Sequence, residues 1–324
     1  MNSNFFEKER ISGLETENEQ WILKKLEKDF SEIHVDCLGN VFAENEKKSG
    51  KKTLLLATHW DEPGFIVTKI TEDGYLKFDP VGKIPKEAML SKKVKINGFT
   101  GVISLKAIHL STKEERKKPI DPDKLFVDIG TDSKKAAEQI AMEGDYFTFE
   151  QDICMLGPYL TGRGMDSAAA MDILLDAARE ITDYHVILLF YAQHHVGMRG
   201  LRAAISDVKA DAAILLEGID RTKRKQADNE NLMSDGNLLC YATQNYLAPC
   251  NLFKKAEHAA DCAGITVQNM AADITDEAEF IAAKGIPTVY LGLNCRYQNT
   301  AVCMVHKNDI ENARQLIVKI AAEI

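Results

Sequence analysis

Several stretches of this chain end apolar runs in side chains able to hold a metal ion or move a proton. TLLLATH (53–59) closes on His59, with Asp61 and Glu62 just beyond. VILLFYAQ (186–193) runs into His194 and His195, AAILLEG (212–218) carries Glu217, and IPTVYLGL (286–293) leads to Arg296, Tyr297 and Gln298. Asp166 follows the turn GRGMD and opens an Ala-rich helical pattern. His, Asp and Glu converging from separate elements make a divalent-metal centre, where an ion polarises a carbonyl and acidifies water. An imidazole beside it moves protons near neutral pH. Singly, each residue is ordinary: a strand-end His is usually structural, and a carboxylate at a helix start is usually a cap. Their recurrence at strand after strand points to a site.

The elements must then bring them together. HVDCLGNVFA (34–43), TLLLATH, VILLFYAQ, AAILLEG and IPTVYLGL read as buried strands. Amphipathic helices are expected over Thr16 to Asp29, Asp166 to Ile181, Leu252 to Ala263, Asp276 to Lys284 and Asn308 to Glu323. Alternation of the two predicts an α/β fold on a mixed, largely parallel sheet flanked by helices. Sites in such sheets form at the carboxyl ends of strands, where these residues stand. From 68 to 159 the rhythm changes to short β-like runs punctuated by Gly, Pro, Asn and Asp, with one helical piece, SKKAAEQIAMEG. We expect an inserted β-barrel-like domain over 68–159, dividing the α/β domain into 1–67 and 160–324.

In order and spacing, these segments resemble the glutamyl and deblocking aminopeptidases, the tetrahedral aminopeptidases of the co-catalytic metallopeptidase clan, some of which are labelled endoglucanases. ATHWDEPGF (57–65) is similar to the family's His-x-Asp-Glu-x-Gly-Phe, and GMDSAA (164–169) to its Asp-Asn-Arg helix start. QHHVGMRGLRAA (193–204) stands where the family has Glu-Glu-Val-Gly-x-x-Gly-Ala, and GIPTVYLGLNCRYQN (285–299) resembles the strand leading to Arg-Tyr-x-His.

The resemblance implies roles. His59, Asp166 and Glu217 match one metal's ligands, with Asp61 on the other nitrogen of the ligand His. Asp166, His195 and Gln298 match the second metal's ligands, where the family has Glu and His at the last two. His194 stands in place of the family's Glu general base, and Ser167-Ala168 in place of Asn-Arg. Thr275, Asp276 and Glu277 resemble a Gly-Thr-Asp-Ala stretch near the substrate pocket; a helix N-terminus is the plainer reading of these three. Arg296 and Tyr297 are further candidates for the pocket wall.

Charge decides how many ions to expect. Two dications at ~3.5–4 Å repel by about 17–19 kcal/mol at an effective dielectric of 20, which anionic ligands must offset. This reading supplies two carboxylates, Asp166 and Glu217. The cofactor is expected to be zinc or cobalt, one ion or two, with the second position weakened. The activity implied is release of N-terminal residues from short peptides, with His194 as proton shuttle. The alternative is a catalytically inactive relative that binds peptides or serves in an assembly; a glycosidase, needing two carboxylates flanking a sugar bond, is a third reading. His306, eight residues beyond Gln298, replaces it as a ligand only if the loop rearranges.

Composition sets the frame. A net charge of −9 over 324 residues argues against binding a phosphate backbone. The basic clusters at 113–118 and 221–225 read as solvated loops. The stretch MNSNFFEKERISGLETENEQ has no apolar signal core, and no run is long enough to span a bilayer. Seven scattered cysteines without a CxxC pair fit reduced thiols in the cytoplasm. The resemblance also implies a homo-oligomer, from dimer to dodecamer.

Overall fold

Runs such as Leu54-Leu55-Leu56 have no polar face, so their strand must be covered on both sides. That is how the chain folds in a computed structural model describing residues 5–6, 8–46, 50–105, 121–150, 153–220, 236–271 and 277–324. The strands begin with β1 (Glu32–Val35), β2 (Val41–Glu44), β3 (Thr53–His59), β4 (Gly64–Ile70), β5 (Leu76–Val81), β6 (Lys93–Ile96) and β7 (Phe99–Ser104). They continue with β8 (Phe126–Asp128), β9 (Tyr146–Phe149), β10 (Cys154–Leu156), β11 (Tyr159–Gly162) and β12 (His185–Tyr191). The last are β13 (Ala212–Asp220), β14 (Asn237–Ala242), β15 (Val267–Ala271), β16 (Thr288–Arg296) and β17 (Cys303–His306). The helices are α1 (Glu19–Leu26), α2 (Lys134–Ala137), α3 (Met165–Glu180), α4 (Arg199–Ala204), α5 (Cys250–Ala263), α6 (Glu277–Ala282) and α7 (Lys307–Glu323).

The large sheet runs β1-β2-β12-β3-β13-β16-β17-β11-β10, with β14 and β15 branching from β16. Its centre, β12-β3-β13-β16, is parallel. Its flanks are antiparallel. Alternate residues of β3 feed opposite cores, as the two-residue period of a strand requires. Leu54 and Leu56 pack with α3, α5 and α7 through Leu174, Ala256 and Leu316. Leu55 and Ala57 pack with α4 and α6 through Leu201 and Ile281. Truncating such a leucine to alanine costs about 2–5 kcal/mol, so these layers hold the strand ends rigidly.

Strands β4-β5-β8-β7-β6-β9 close a barrel around Phe65, Val94, Ile103 and Phe147. The barrel strands run from Gly64 to Phe149, whereas β10, inside the 68–159 segment, pairs with β11 and so joins the large sheet. The single strand expected at 34–43 is instead a hairpin of β1 and β2. Asp36 accounts for the bend: its Oδ1 accepts the backbone N–H groups of Leu38 and Asn40, and Gly39 takes a positive φ of 89°. The expected helix from Thr16 begins as a 3-10 turn and becomes α1 only at Glu19. Among the described residues no helix is long and apolar enough to cross a membrane. The basic clusters at 113–118 and 221–225 lie outside the described residues.

Candidate metal centre

The carboxyl ends of β3, β12 and β13 lie side by side, and their last polar residues meet. The β12–β3 register pairs Tyr191 with His59. Glu217 accepts the His59 backbone N–H (3.1 Å) and the Tyr191 hydroxyl on Oε1, while its Oε2 contacts His59 Nδ1. A carboxylate offers about four lone-pair sites, so one remains on Oε2. His59 Nε2 is buried and has no hydrogen-bond partner among the described residues.

His194 and His195 follow β12 in a turn opened by Gln193, whose φ is +54°. Left-handed backbone at a non-glycine residue costs of order 1 kcal/mol and is kept only where neighbours enforce it. Glu15 Oε1 accepts the Gln193 N–H at 2.7 Å. Asp61 accepts the N–H groups of His194 (3.1 Å) and His195 (3.2 Å), and the Ser12 hydroxyl. The His194 ring then stacks on His59, centroids 4.1 Å apart at 20°. Its Nδ1 lies 3.5 Å from Glu277 Oε1, at the start of α6. His195 stands nearly perpendicular to both rings, at 5.4 and 4.9 Å. It backs onto Gly82 of the barrel, where an added Cβ would come within 2.7 Å of the His195 Cβ.

Asp166, in the first turn of α3, presses on β13: a Cβ on Gly218 would lie 2.4 Å from its own Cβ. The turn before it is tied down by buried Arg10, which donates to Ser167 Oγ (3.2 Å) and to the carbonyls of Gly164 (3.3 Å) and Trp60. Gln298 Nε2 donates to Asp166 Oδ2 and to the Gly218 carbonyl, each at 3.0 Å. Two acceptors around one atom identify it as the amide nitrogen. Gln298 therefore turns a donor, not a lone pair, toward Asp166. Its backbone follows Tyr297, another non-glycine at positive φ, 55°.

Burial depresses the His59 pKa, but Glu217, Asp61 and Asp166 outweigh it and hold the imidazole up at about 9. Burial would raise Asp166; His59, the Gln298 hydrogen bond and His195 outweigh it and keep the carboxyl below its ordinary value. Burial drives His194 well below the usual range, with His59 and His195 adding to it. Burial, then Glu217, pushes Glu277 up to about 8. The cluster thus holds surplus carboxylate offset by a buried proton on His59, the balance a cation would provide. The unpartnered Nε2 fits an ion as well, as do the ligand atoms of His59, His194 and Glu217, all within 4.8 Å of one another.

The site differs from expectation in particulars. Asp61 does not reach the other nitrogen of His59. Glu217, with its additional methylene, takes that place, and Asp61 orders the His194–His195 turn. Gln298, expected beside a second ion, clamps Asp166 to Gly218. Thr275 and Asp276 lie outside the described residues. Arg296 ends β16 half-buried, and Tyr297 is exposed next to it. His306 caps α7 by accepting from Asn308 N (3.2 Å). Tyr191 and Arg10 were not singled out for the site from the sequence, and Glu277 was named only with the stretch near the substrate pocket, not as a neighbour of His194. The only signal for Tyr191 was a hydroxyl on the last residue of an otherwise apolar strand.

Comparisons place this geometry among known proteins. The description "M42 glutamyl aminopeptidase" matches residues 39–316. The lysyl aminopeptidase of Pyrococcus furiosus is 24% identical, over 97% of this chain and 94% of its own length. A TET aminopeptidase from a marine-sediment Thaumarchaeota archaeon superposes with a TM-score of 0.90 at 26% identity, covering 98% of this chain and 93% of that one. The Pyrococcus horikoshii TET1 peptidase, described as assembling into a tetrahedron or a large octahedral shell, does so at 0.87 and 26%, covering 99% and 98%.

Proposed function

The chain belongs to the M42 glutamyl aminopeptidase family, and on that premise we propose that it is a metal-dependent aminopeptidase releasing N-terminal residues from short peptides at a single-ion centre. His59, Asp166 and Glu217 hold the ion in this reading, which is zinc or cobalt. One observation carries it: His59 Nε2 is buried and unpartnered, and ligand atoms of His59, His194 and Glu217 lie within 4.8 Å of one another.

The stacking of His59 and His194 assigns their roles. The two rings stack at 20°, so their nitrogens do not point to one place; His59, with its unpartnered Nε2, would hold the ion, and His194 would remain free as a neutral base. When bound, the ion polarises the scissile carbonyl and acidifies the attacking water. His194 Nε2 accepts the water proton and returns it to the leaving amine. Glu277, 3.5 Å from Nδ1 without a hydrogen bond to it in this structure, would act through the charge it presents to His194 as a positioning residue. Gln298 puts an amide donor where a second ion would need a lone pair, and His195 packs against the barrel as an orienting residue. Convergence of free donors favours this catalyst over the peptide-binding, inactive alternative.

Arg296 and Tyr297 form part of the peptide-binding wall in this reading; Thr275 and Asp276, expected there from the sequence, lie outside the described residues. The α/β parts, 1–67 and 160–324, carry the chemistry, and the insertion at 68–159 closes the site from Gly82. The protein is a homo-oligomer, in the range from dimer to dodecamer, and works in the cytoplasm. Its net charge of −9 disfavours nucleic acid.

The test is a panel of short peptides offered to demetallated protein reconstituted with zinc, cobalt or manganese, alongside metal analysis. Release of the first residue, and one ion per chain that His59→Ala lacks together with the activity, are expected. No turnover with any of the three metals would overturn the reading.

A further inference from the structure

Far along the chain from these residues, α5 and α7 bring three ligand-type side chains together at the surface. His258 and Cys262 are four residues apart on α5 and so share one face, a turn apart. Glu323 projects from the last turn of α7. His258 Nδ1 is 2.8 Å from Glu323 Oε1 and 3.9 Å from Cys262 Sγ. The three ligand atoms all lie within 4.8 Å of one another. With zinc bonds of ~2.3 Å to sulfur and ~2.0–2.2 Å to nitrogen and oxygen, the edges of a tetrahedral site are roughly 3.4–3.6 Å. The observed separations fall on either side of that value.

The adjustment needed is small and local. His258 is 65% and Glu323 30% exposed, and Cys262 is exposed too, so rotation of their side chains disturbs no core. Beneath them the helices are already fastened: Ala256, Ala259 and Ala260 of α5 share a core with Leu316, Ile320 and Ala321 of α7. The backbone positions are preorganised, and little ordering cost remains on binding. A thiolate with an imidazole favours zinc-like ions over magnesium or calcium.

We propose that His258, Cys262 and Glu323 form a second divalent-metal site, of zinc type, which fastens the last turn of α7 to α5 and leaves its fourth position to water. It is separate from the centre at His59, whose assigned ligands are nitrogen and oxygen, and a thiolate signal tells the two apart.

Cobalt(II) is the probe, added to demetallated full-length protein kept reduced. The expected result is a thiolate-to-cobalt charge-transfer band in the near ultraviolet, saturating at one equivalent once the centre at His59 is removed by His59→Ala. The band should vanish in Cys262→Ser and need about tenfold or more cobalt in His258→Ala and Glu323→Gln. It should persist in His59→Ala, so failure of the catalytic reading leaves this one testable. Zinc should raise the melting temperature of His59→Ala but not of His59→Ala combined with Cys262→Ser. Absence of the band, its survival in Cys262→Ser, or unchanged affinity in His258→Ala would overturn the site.

Discussion

Gln298 reaches Asp166 and the carbonyl of Gly218 through one amide nitrogen, 3.0 Å from each acceptor, and so ties the start of α3 to β13. An amide donor satisfies Asp166 without adding a positive ion. The centre at His59 should therefore hold one ion. Gln298→His combined with His195→Glu supplies an imidazole and a carboxylate there, and should raise the content of this centre from one ion to two, read by elemental mass spectrometry in the Cys262→Ser background. Gln298→His alone should leave it at one, because the charge needed to offset a second dication is missing.

Glu277 gives a sharper test of the proton-transfer reading. Its carboxylate lies 3.5 Å from His194 Nδ1 and accepts the Tyr290 hydroxyl at 3.3 Å. A group that orients a base through its other nitrogen contributes about 10–100-fold when removed. Glu277→Gln should lower kcat by roughly that factor with KM nearly unchanged, and Glu277→Asp should recover part of it. Steady-state kinetics on a cleaved short peptide decide this; a change confined to KM would place Glu277 in substrate binding instead.

Much of the centre was legible from residue type and place. His59, Asp166 and Glu217 stand at ends of elements that a covered parallel sheet brings together, so pattern marked them as candidates, and the family resemblance grouped them as one ion's ligands. Glu277 was hidden by its own plausibility: an acid in the first turn of a helix needs no further explanation, and its approach to His194 depends on how α6 packs. Gln298 was recognisable by position, but the direction of its amide is set by the Gly218 carbonyl, a backbone atom with no trace in side-chain pattern. The exchange of Asp61 and Glu217 around His59 turns on one methylene, a difference that registers only once the strands are in register. In the same way, Asp36 and Gly39 divide a run that reads as one strand.

Glu15 links the site to stability. Burial and Asp61 push its carboxyl up to about 7 from 4.5. An acid whose folded pKa is raised favours the protonated fold, so its contribution is full below about pH 4.5 and is lost as the pH climbs to 7. The difference is roughly 3 kcal/mol at most. Urea unfolding at pH 5 and pH 8 should show wild type losing more stability across that interval than Glu15→Gln, whose side chain does not titrate. Equal losses would mean that Glu15 is not protonated in the fold.

Gly218 is the position where backbone alone controls the centre. A methyl group there would sit 2.4 Å from the Asp166 Cβ and 3.3 Å from its Cγ. Strand β13 is held by β16 on one side and β3 on the other and has little room to move, so α3 or Asp166 must shift. Overpacking of this kind costs about 1–3 kcal/mol. Gly218→Ala should fold with a lowered melting temperature and bind the ion more weakly, although no ligand has been changed. The control is Gly50→Ala, at a glycine whose added Cβ meets nothing within 4 Å; its positive φ of 82° costs stability by strain but leaves the centre untouched. Titration of both demetallated variants with zinc separates the effects: loss of affinity in Gly218→Ala alone shows that contact between strand and helix sets the position of Asp166, and equal affinities would show that it does not.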